Sequence, residues 1–251
     1  MLSCVKCQHP KEEKCAVLVT GGAARIGAAV AEALARAGWN VVVHARRSLA
    51  EADALCARLR TLGAEAWRVD GDLSLPGAGA EVFSKACAAA GRLDALVNNA
   101  AVFSVRGEGE MPDEAREALR HVNTATPIAL TRCLWTHLHE RGTRGCAVQM
   151  LDQRIALEAT TETPYVRSKR LLAAFTREAA AEMAPVLRVN AVAPGAVLLP
   201  ASPDAREPAG RFPLGLRPTA AQVADAVRWL LGADAVTGQT IFVDGGQHLL
   251  R

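Results

Sequence analysis

The 251-residue chain is 50% hydrophobic and 22% charged, enough apolar material to bury the core of one α/β domain. Its formal net charge is only +3, and its arginines are scattered among Glu and Asp without the basic, aromatic-interleaved stripe of a nucleic-acid surface, so no nucleic-acid partner is expected. Seven cysteines, an odd number, with Cys56, Cys87 and Cys133 inside helix-like patterns, fit reduced thiols in a cytoplasmic protein better than a disulfide framework.

Residues 1–14, MLSCVKCQHPKEEK, lack the apolar core of a signal peptide and read as a flexible tail ahead of one domain over 15–251. Cys4, Cys7 and His9 have the spacing that begins a zinc site, but only Cys15, at the start of the first strand, stands near as a fourth ligand, and no metal is assigned. No run approaches the length of a membrane span, so a soluble protein with no membrane partner is expected.

After the tail, short apolar runs alternate with segments of helical period: VLV, VVVH, AWRV, ALVN, AVQML, LRVNAV and TIFVDGG. Seven strands with helices between them imply a parallel sheet. Ile26, Val30, Ala33, Leu34 and Ala37 repeat at helical spacing, and Gly38 supplies a stop before the second strand. The one long irregular stretch, Gly195 to Pro213, is either a solvated loop or a lid over a substrate.

The turn after the first strand reads TGGAARIG, Thr20 to Gly27. It leads into a helix, and a helix N-terminus offers N–H groups and positive dipole to an anion, so Thr20, Gly21, Arg25, Ile26 and Gly27 are candidate ligands of a dinucleotide pyrophosphate. Arg25 stands where the usual fingerprint has its third glycine. The second strand ends in HARRS, His44 to Ser48, where an NAD site places a carboxylate; Arg46 and Arg47 attract a 2′-phosphate, and NADPH is the inferred cofactor. Ser48 and Glu51 also have capping-box spacing, and a solvated basic turn is the alternative reading of the arginines. In GDLS, Asp72 with its neighbour Leu73 is either an adenine contact or an ordinary turn aspartate.

The chain has a single tyrosine, Tyr165, and only five lysines among its 29 basic residues. That tyrosine opens YVRSK, and composition alone would put a lysine at that offset about once in fifty. One helical turn brings Tyr165 and Lys169 to the same face. The ammonium is expected to draw the phenol pKa down toward neutrality and make it a usable proton donor.

TG at Thr20 and Gly21, NNA at Asn98 to Ala100, YxxxK at Tyr165 to Lys169 and PG at Pro194 and Gly195 together resemble the short-chain dehydrogenase/reductase superfamily, over nearly the whole chain after the tail. The resemblance implies an α/β fold: a single-domain, Rossmann-type, doubly wound parallel seven-stranded sheet of order 3-2-1-4-5-6-7 flanked by helices. It implies that Asn98 supports the central strand, that Asn99, Ala100, Pro194 and Gly195 line the cofactor, and that Lys169 holds the nicotinamide ribose. It also implies that Asn123, in HVNT, completes a proton relay; read alone, Asn123 marks a helix irregularity ahead of Pro127.

Most members of the superfamily carry a serine thirteen residues before the tyrosine, and here that position is Asp152. An ionised carboxylate has no proton to donate and repels the oxyanion of a ketone under reduction, so a substrate presenting N–H donors is favoured. A protonated Asp152 would instead deliver a proton itself, and a turn residue at a strand end or a decayed catalytic site is the alternative reading. TG-x-x-x-R-x-G, HxRRS and this aspartate, with HVNT, MAPVLRVNAVAPG and DGGQHL, are similar to pteridine reductases and bacterial dihydromonapterin reductases. That similarity implies that Arg25 reaches both the cofactor phosphates and the substrate, and that Phe103 stacks on a pterin ring. It implies catalytic roles for Asp152, Tyr165, Lys169 and Asn123, a pterin or folate substrate, and a homotetramer in which Arg251 approaches a neighbour's site. Val197 and Ala101 depart from the hydroxyl-bearing residues of trypanosomatid pteridine reductases. Two alternatives stay open, a carbonyl reductase acting for example on an oxoacyl thioester, and a non-catalytic NADPH-binding regulator.

Overall fold

Residues 14–104, 107–156, 163–197 and 211–250 are described by a computed structural model. The Cys4, Cys7 and His9 cluster, most of the Gly195–Pro213 stretch and Arg251 lie outside the described residues.

The seven apolar runs form strands β1 (Ala16–Val19), β2 (Asn40–Ala45), β3 (Ala66–Asp70), β4 (Ala95–Asn98), β5 (Gly145–Met150), β6 (Leu187–Pro194) and β7 (Thr240–Val243). All pair in parallel, in the order β3-β2-β1-β4-β5-β6-β7. Parallel neighbours need crossovers, and these are the helices α1 (Arg25–Arg36), α2 (Leu49–Thr61), α3 (Ala78–Ala90), α4 (Asp113–Arg120), α5 (Thr126–Glu140), α6 (Pro164–Glu182) and α7 (Ala220–Gly232).

Because side chains alternate along a strand, the sheet feeds two cores. Val17, Val19, Val41 and Val43 face α1, α2 and α7 through Val30, Leu34, Leu55, Leu59 and Val227. Ala16, Leu18, Val42 and Leu96 face α3, α5 and α6 through Val82, Leu130, Leu134 and Leu172. Both faces are covered, which is why the strand sequences are continuous apolar runs.

Helix ends follow local chemistry with one correction. Gly38, at φ +91°, ends α1 as expected. The α6 cap is Thr163, whose Oγ1 accepts from Val166 N at 3.3 Å, and α7 begins in a reciprocal Thr219–Gln222 capping box. Ser48 does precede α2, but its side chain makes no capping bond. Its ψ of 57° departs from the extended backbone that aims a capping oxygen at the first turn.

At the opposite end of the sheet from the cleft, Asp94 binds three partners: Oδ2 accepts from Ala16 N at 2.9 Å, Arg92 Nε lies 3.2 Å away, and Arg141 Nη2 approaches Oδ1 at 3.1 Å. The carboxylate side chain is 8% exposed, so it ties the starts of β1 and β4 to α5 in a nearly dry setting. Asp94→Ala leaves the two guanidinium groups without that counter-charge and is expected to lower stability by about 3 kcal/mol. Urea unfolding checks this as a reduced midpoint at an unchanged m value.

Candidate active site

β1 is flanked by β2 on one side and β4 on the other, so successive crossovers leave it in opposite directions and a crevice opens beyond the strand ends. A cavity of about 750 Å³ lies there. Its near wall is the glycine turn, held by cross-strand bonds. Thr20 Oγ1 accepts from Asn99 N and Ala100 N at 3.0 and 3.1 Å, and Asn99 Nδ2 donates to the carbonyls of Thr20 and Gly21 at 2.9 and 3.0 Å. A Cβ on Gly27 would stand 2.2 Å from the Gly21 carbonyl oxygen, so this position admits only glycine where the helix meets the turn. Gly21, at φ +58°, takes the left-handed conformation itself.

His44 has a role the sequence did not assign. Its imidazole is buried, Nδ1 accepts from Gly21 N at 3.2 Å, and Nε2 lies 3.1 Å from the Gly71 carbonyl. This pattern requires the proton on Nε2, and burial lowers the pKa, which keeps the ring neutral. The ring therefore pins the turn to the β3 end while one edge lines the cleft.

Of the expected cofactor residues, Gly21, Arg25, Ile26, Gly27, His44, Arg46, Asp72, Leu73, Asn99, Ala100, Lys169, Pro194 and Gly195 line the cavity. Thr20, Arg47 and Ser48 do not line it; Thr20 acts one layer behind, through the bonds above. Arg46 sits at the rim, its Nη1 3.4 Å from Asp72 Oδ1. Asp72 is also a turn residue, accepting from Ser74 N and Oγ at 3.0 and 2.7 Å, and these bonds foremost hold its carboxyl below the usual range.

On the far wall, Tyr165 and Lys169 project from the first turns of α6, and Asp152 follows the end of β5. Tyr165 Oη donates to Asp152 Oδ2 at 2.9 Å. Lys169 Nζ donates to the Met150 carbonyl at 2.7 Å and lies 5.9 Å from the Tyr165 ring centroid. Tyr165 and Lys169 are 6% and 2% exposed. Burial lowers the Lys169 pKa to about 8 despite the opposing pull of Asp152.

The expected depression of the phenol pKa is not what this arrangement gives. Burial, then the charge of Asp152 and its hydrogen bond, raise Tyr165 well above the ordinary phenol value. Geometry adds to burial: the ammonium lies over the ring and donates to the Met150 carbonyl, whereas the hydroxyl faces a carboxylate.

Asn123 lies in a π-helical turn, His121–Ala125, so the irregularity ahead of Pro127 is present. Its amide exchanges bonds with Val102 N and O at 2.8 and 2.9 Å and donates to Ser168 Oγ at 3.1 Å. Asn123 does not line the cavity, and its side chain ties the segment after β4, at Val102, to α6 beside Lys169. Asn98 Nδ2, one layer deeper, faces the Pro127 carbonyl, Thr131 Oγ1 and Gln149 Oε1, which joins β4 to β5 and α5.

Phe103 lines the cavity with its ring edge-on to Tyr165, centroids 4.9 Å apart. Among the lining residues that the sequence did not single out are Arg154 and Gln247. Arg154 follows Asp152 by two positions and places its guanidinium carbon 5.0 Å from the Phe103 centroid. Gln247, inside DGGQHL, accepts from Ala196 N at 3.0 Å and closes the cavity beside Gly195. Neither has a spacing signal, since both act from short 3-10 turns whose direction the sequence does not encode.

Residues 21–248 match the family model described as enoyl-(acyl carrier protein) reductase. Pteridine reductase 1 of Leishmania tarentolae is 32% identical over 284 aligned positions, covering 93% of this chain and 96% of that protein. A crystal structure of FolM alternative dihydrofolate reductase 1 from Brucella canis, complexed with NADP, is 34% identical, with a TM-score of 0.83 over 94% of this chain and 95% of its own. Acetoin dehydrogenase from Enterobacter cloacae superposes with a TM-score of 0.88 at 27% identity, over 96% and 98% of the two chains. The backbone is thus shared by enzymes of different specificity. With the family model spanning the domain, and the glycine turn, the tyrosine and the lysine meeting in one cleft, the chain is an oxidoreductase of the short-chain dehydrogenase/reductase superfamily.

Proposed function

We propose that this chain is an NADPH-dependent pterin reductase, acting on a dihydropterin or a folate. The observation that carries the reading is the Asp152–Tyr165 bond at 2.9 Å: a carboxylate, at the position where the superfamily resemblance implies a serine hydroxyl, faces the phenol inside the cleft.

The residues present suit a phosphorylated dinucleotide. The turn from Gly21 to Gly27 excludes a Cβ at Gly27 by packing and strains one at Gly21 by its φ of +58°, Arg25 and Ile26 line the cleft beside it, and Arg46 offers a guanidinium at the rim. In this reading the turn and Arg25 hold the pyrophosphate, Arg46 and Arg47 favour a 2′-phosphate, Asp72 accepts from the adenine amino group, and Lys169 holds the nicotinamide ribose. NADPH, when bound, supplies the hydride.

The chain's own groups govern the proton. Asp152 accepts from N–H donors on the pyrimidine edge of a pterin, and its Oδ2 also accepts the hydrogen bond of the Tyr165 hydroxyl. Reduction of a ring C=N bond leaves an electron pair on nitrogen that must be protonated, and Tyr165, kept protonated by its raised pKa, donates through or beside Asp152. Phe103 provides a ring face against a flat heterocycle. A carboxylate at this position disfavours the developing oxyanion of a ketone or thioester, which sets the pterin reading against a carbonyl reductase.

NADPH oxidation measured with dihydrobiopterin, dihydrofolate and an acetoacetyl thioester in parallel tests the substrate class; turnover of the thioester alone refutes the pterin. Asp152→Ser and Tyr165→Phe are each expected to lower pterin turnover by about 10²- to 10⁴-fold with little change in NADPH affinity measured by fluorescence. Wild-type turnover in both variants removes these groups from the mechanism. Lys169 is charged below a pH of about 8 and neutral above it. The value of kcat/KM should therefore fall as pH rises through that point, and a flat profile from pH 7 to 9.5 contradicts a role for the ammonium.

A further inference from the structure

Arg154 is in contact with two groups that the proposed function reserves for substrate. Its guanidinium carbon lies over the Phe103 ring at 5.0 Å from the centroid, and its Nη1 is 3.7 Å from Asp152 Oδ2. A planar delocalised cation thus stacks on a phenyl face while pointing at a carboxylate. The backbone holds this arrangement in place, because Arg154 N donates to Asp152 Oδ1 at 2.9 Å at the start of the 3-10 turn Gln153–Ala156.

The side chain itself is loosely held. It is 36% exposed and Phe103 is 55% exposed, so solvent screens both contacts. Interactions of this kind are each worth less than about tenfold in an equilibrium. A ligand offering better versions of the same two contacts therefore displaces the guanidinium at small cost.

Guanidinium has a close chemical analogue in the 2-amino-4-oxopyrimidine half of a pterin. Both present a planar N–C–N unit with N–H donors along one edge and a π face above it. We infer that Phe103 and Asp152 form a subsite for a planar N–C–N edge, and that Arg154 fills this subsite as an internal surrogate that the substrate must displace. The ligand's identity rests on the pterin reading; the subsite itself rests on the contacts of Arg154 alone. The arrangement also filters substrates. A ketone or thioester has no N–H edge to replace the guanidinium, so its entry would leave the Asp152 carboxylate with one fewer donor in the cleft.

The single tyrosine of the chain makes the test direct, because Tyr165 donates to the same Asp152 oxygen that Arg154 approaches. In protein carrying ring-labelled tyrosine, one NMR resonance reports on the subsite. Ethylguanidinium added to Arg154→Ala is expected to shift this resonance saturably, while wild type, whose own guanidinium is in place, gives no saturable shift over the same range. In calorimetry without NADPH, 2,4-diaminopteridine is expected to bind Arg154→Ala about five- to tenfold more tightly than wild type. Arg154→Gln, which keeps the backbone bond and much of the side-chain volume, is expected to behave in the same way.

Equal or weaker diaminopteridine binding by these variants overturns the surrogate, as does an ethylguanidinium shift that is the same in both proteins or missing from both. If ethylguanidinium binds only the alanine variant while neither protein takes up the diaminopteridine, the subsite stands and the pterin assignment falls.

Discussion

A phenol and a carboxylate 2.9 Å apart, both largely withdrawn from water, set the character of this cleft. The bond requires the end of β5 and the first turn of α6 to stay in fixed register, and a second link enforces that register. Lys169, one turn along the same helix, donates to the carbonyl of Met150, two residues before Asp152. This wall of the cleft is therefore braced at two points between one strand and one helix. Burial makes such links electrostatically stronger than their counterparts in water, and it equally makes the loss of either partner costly.

The opposite wall depends on a different device. At the reversal of strand order between β1 and β4, Thr20 and Asn99 exchange bonds between side chain and backbone across the gap, and His44 fastens the same turn to the end of β3. None of these side chains needs to touch a ligand for the site to depend on it. Thr20 illustrates the distinction: it does not line the cavity, yet the positions of Asn99 and Ala100, which do, follow from its hydroxyl.

The fold was legible because both faces of a parallel sheet are buried, which turns each strand into an apolar run, and because parallel pairing forces a helix between consecutive runs. Tyr165 and Lys169 were legible as a rare pair in a chain poor in both residues. What escaped was direction. Spacing places Lys169 on the face of Tyr165 but does not say that the phenol is buried, or that the ammonium donates to Met150 while the hydroxyl meets Asp152; burial first, and the carboxylate second, reverse the expected shift of the phenol. Ser48 and Glu51 had the spacing of a cap, but capping also needs an extended backbone at the serine, which a sequence pattern does not contain. Arg154 and Gln247 enter the cleft from short 3-10 turns that follow strands, where a difference of one residue redirects a side chain.

Arg25 combines a backbone constraint with a place on the cavity wall. Among the described residues it is the only non-glycine at positive φ, 56°, whereas ten glycines take that conformation without steric cost. An L side chain there costs about 1–3 kcal/mol, and glycine, the residue that the common fingerprint uses in this turn, would remove the cost. Packing does not demand the arginine, since the turn's tight contacts are made at Gly21, Gly22 and Gly27. A strained backbone that delivers a guanidinium to the cavity wall is economically explained by what the guanidinium meets there. Under the proposed function that is an anion on one side and a polar heterocycle on the other, so the position unsuited to a side chain on conformational grounds is the position from which one cation reaches both.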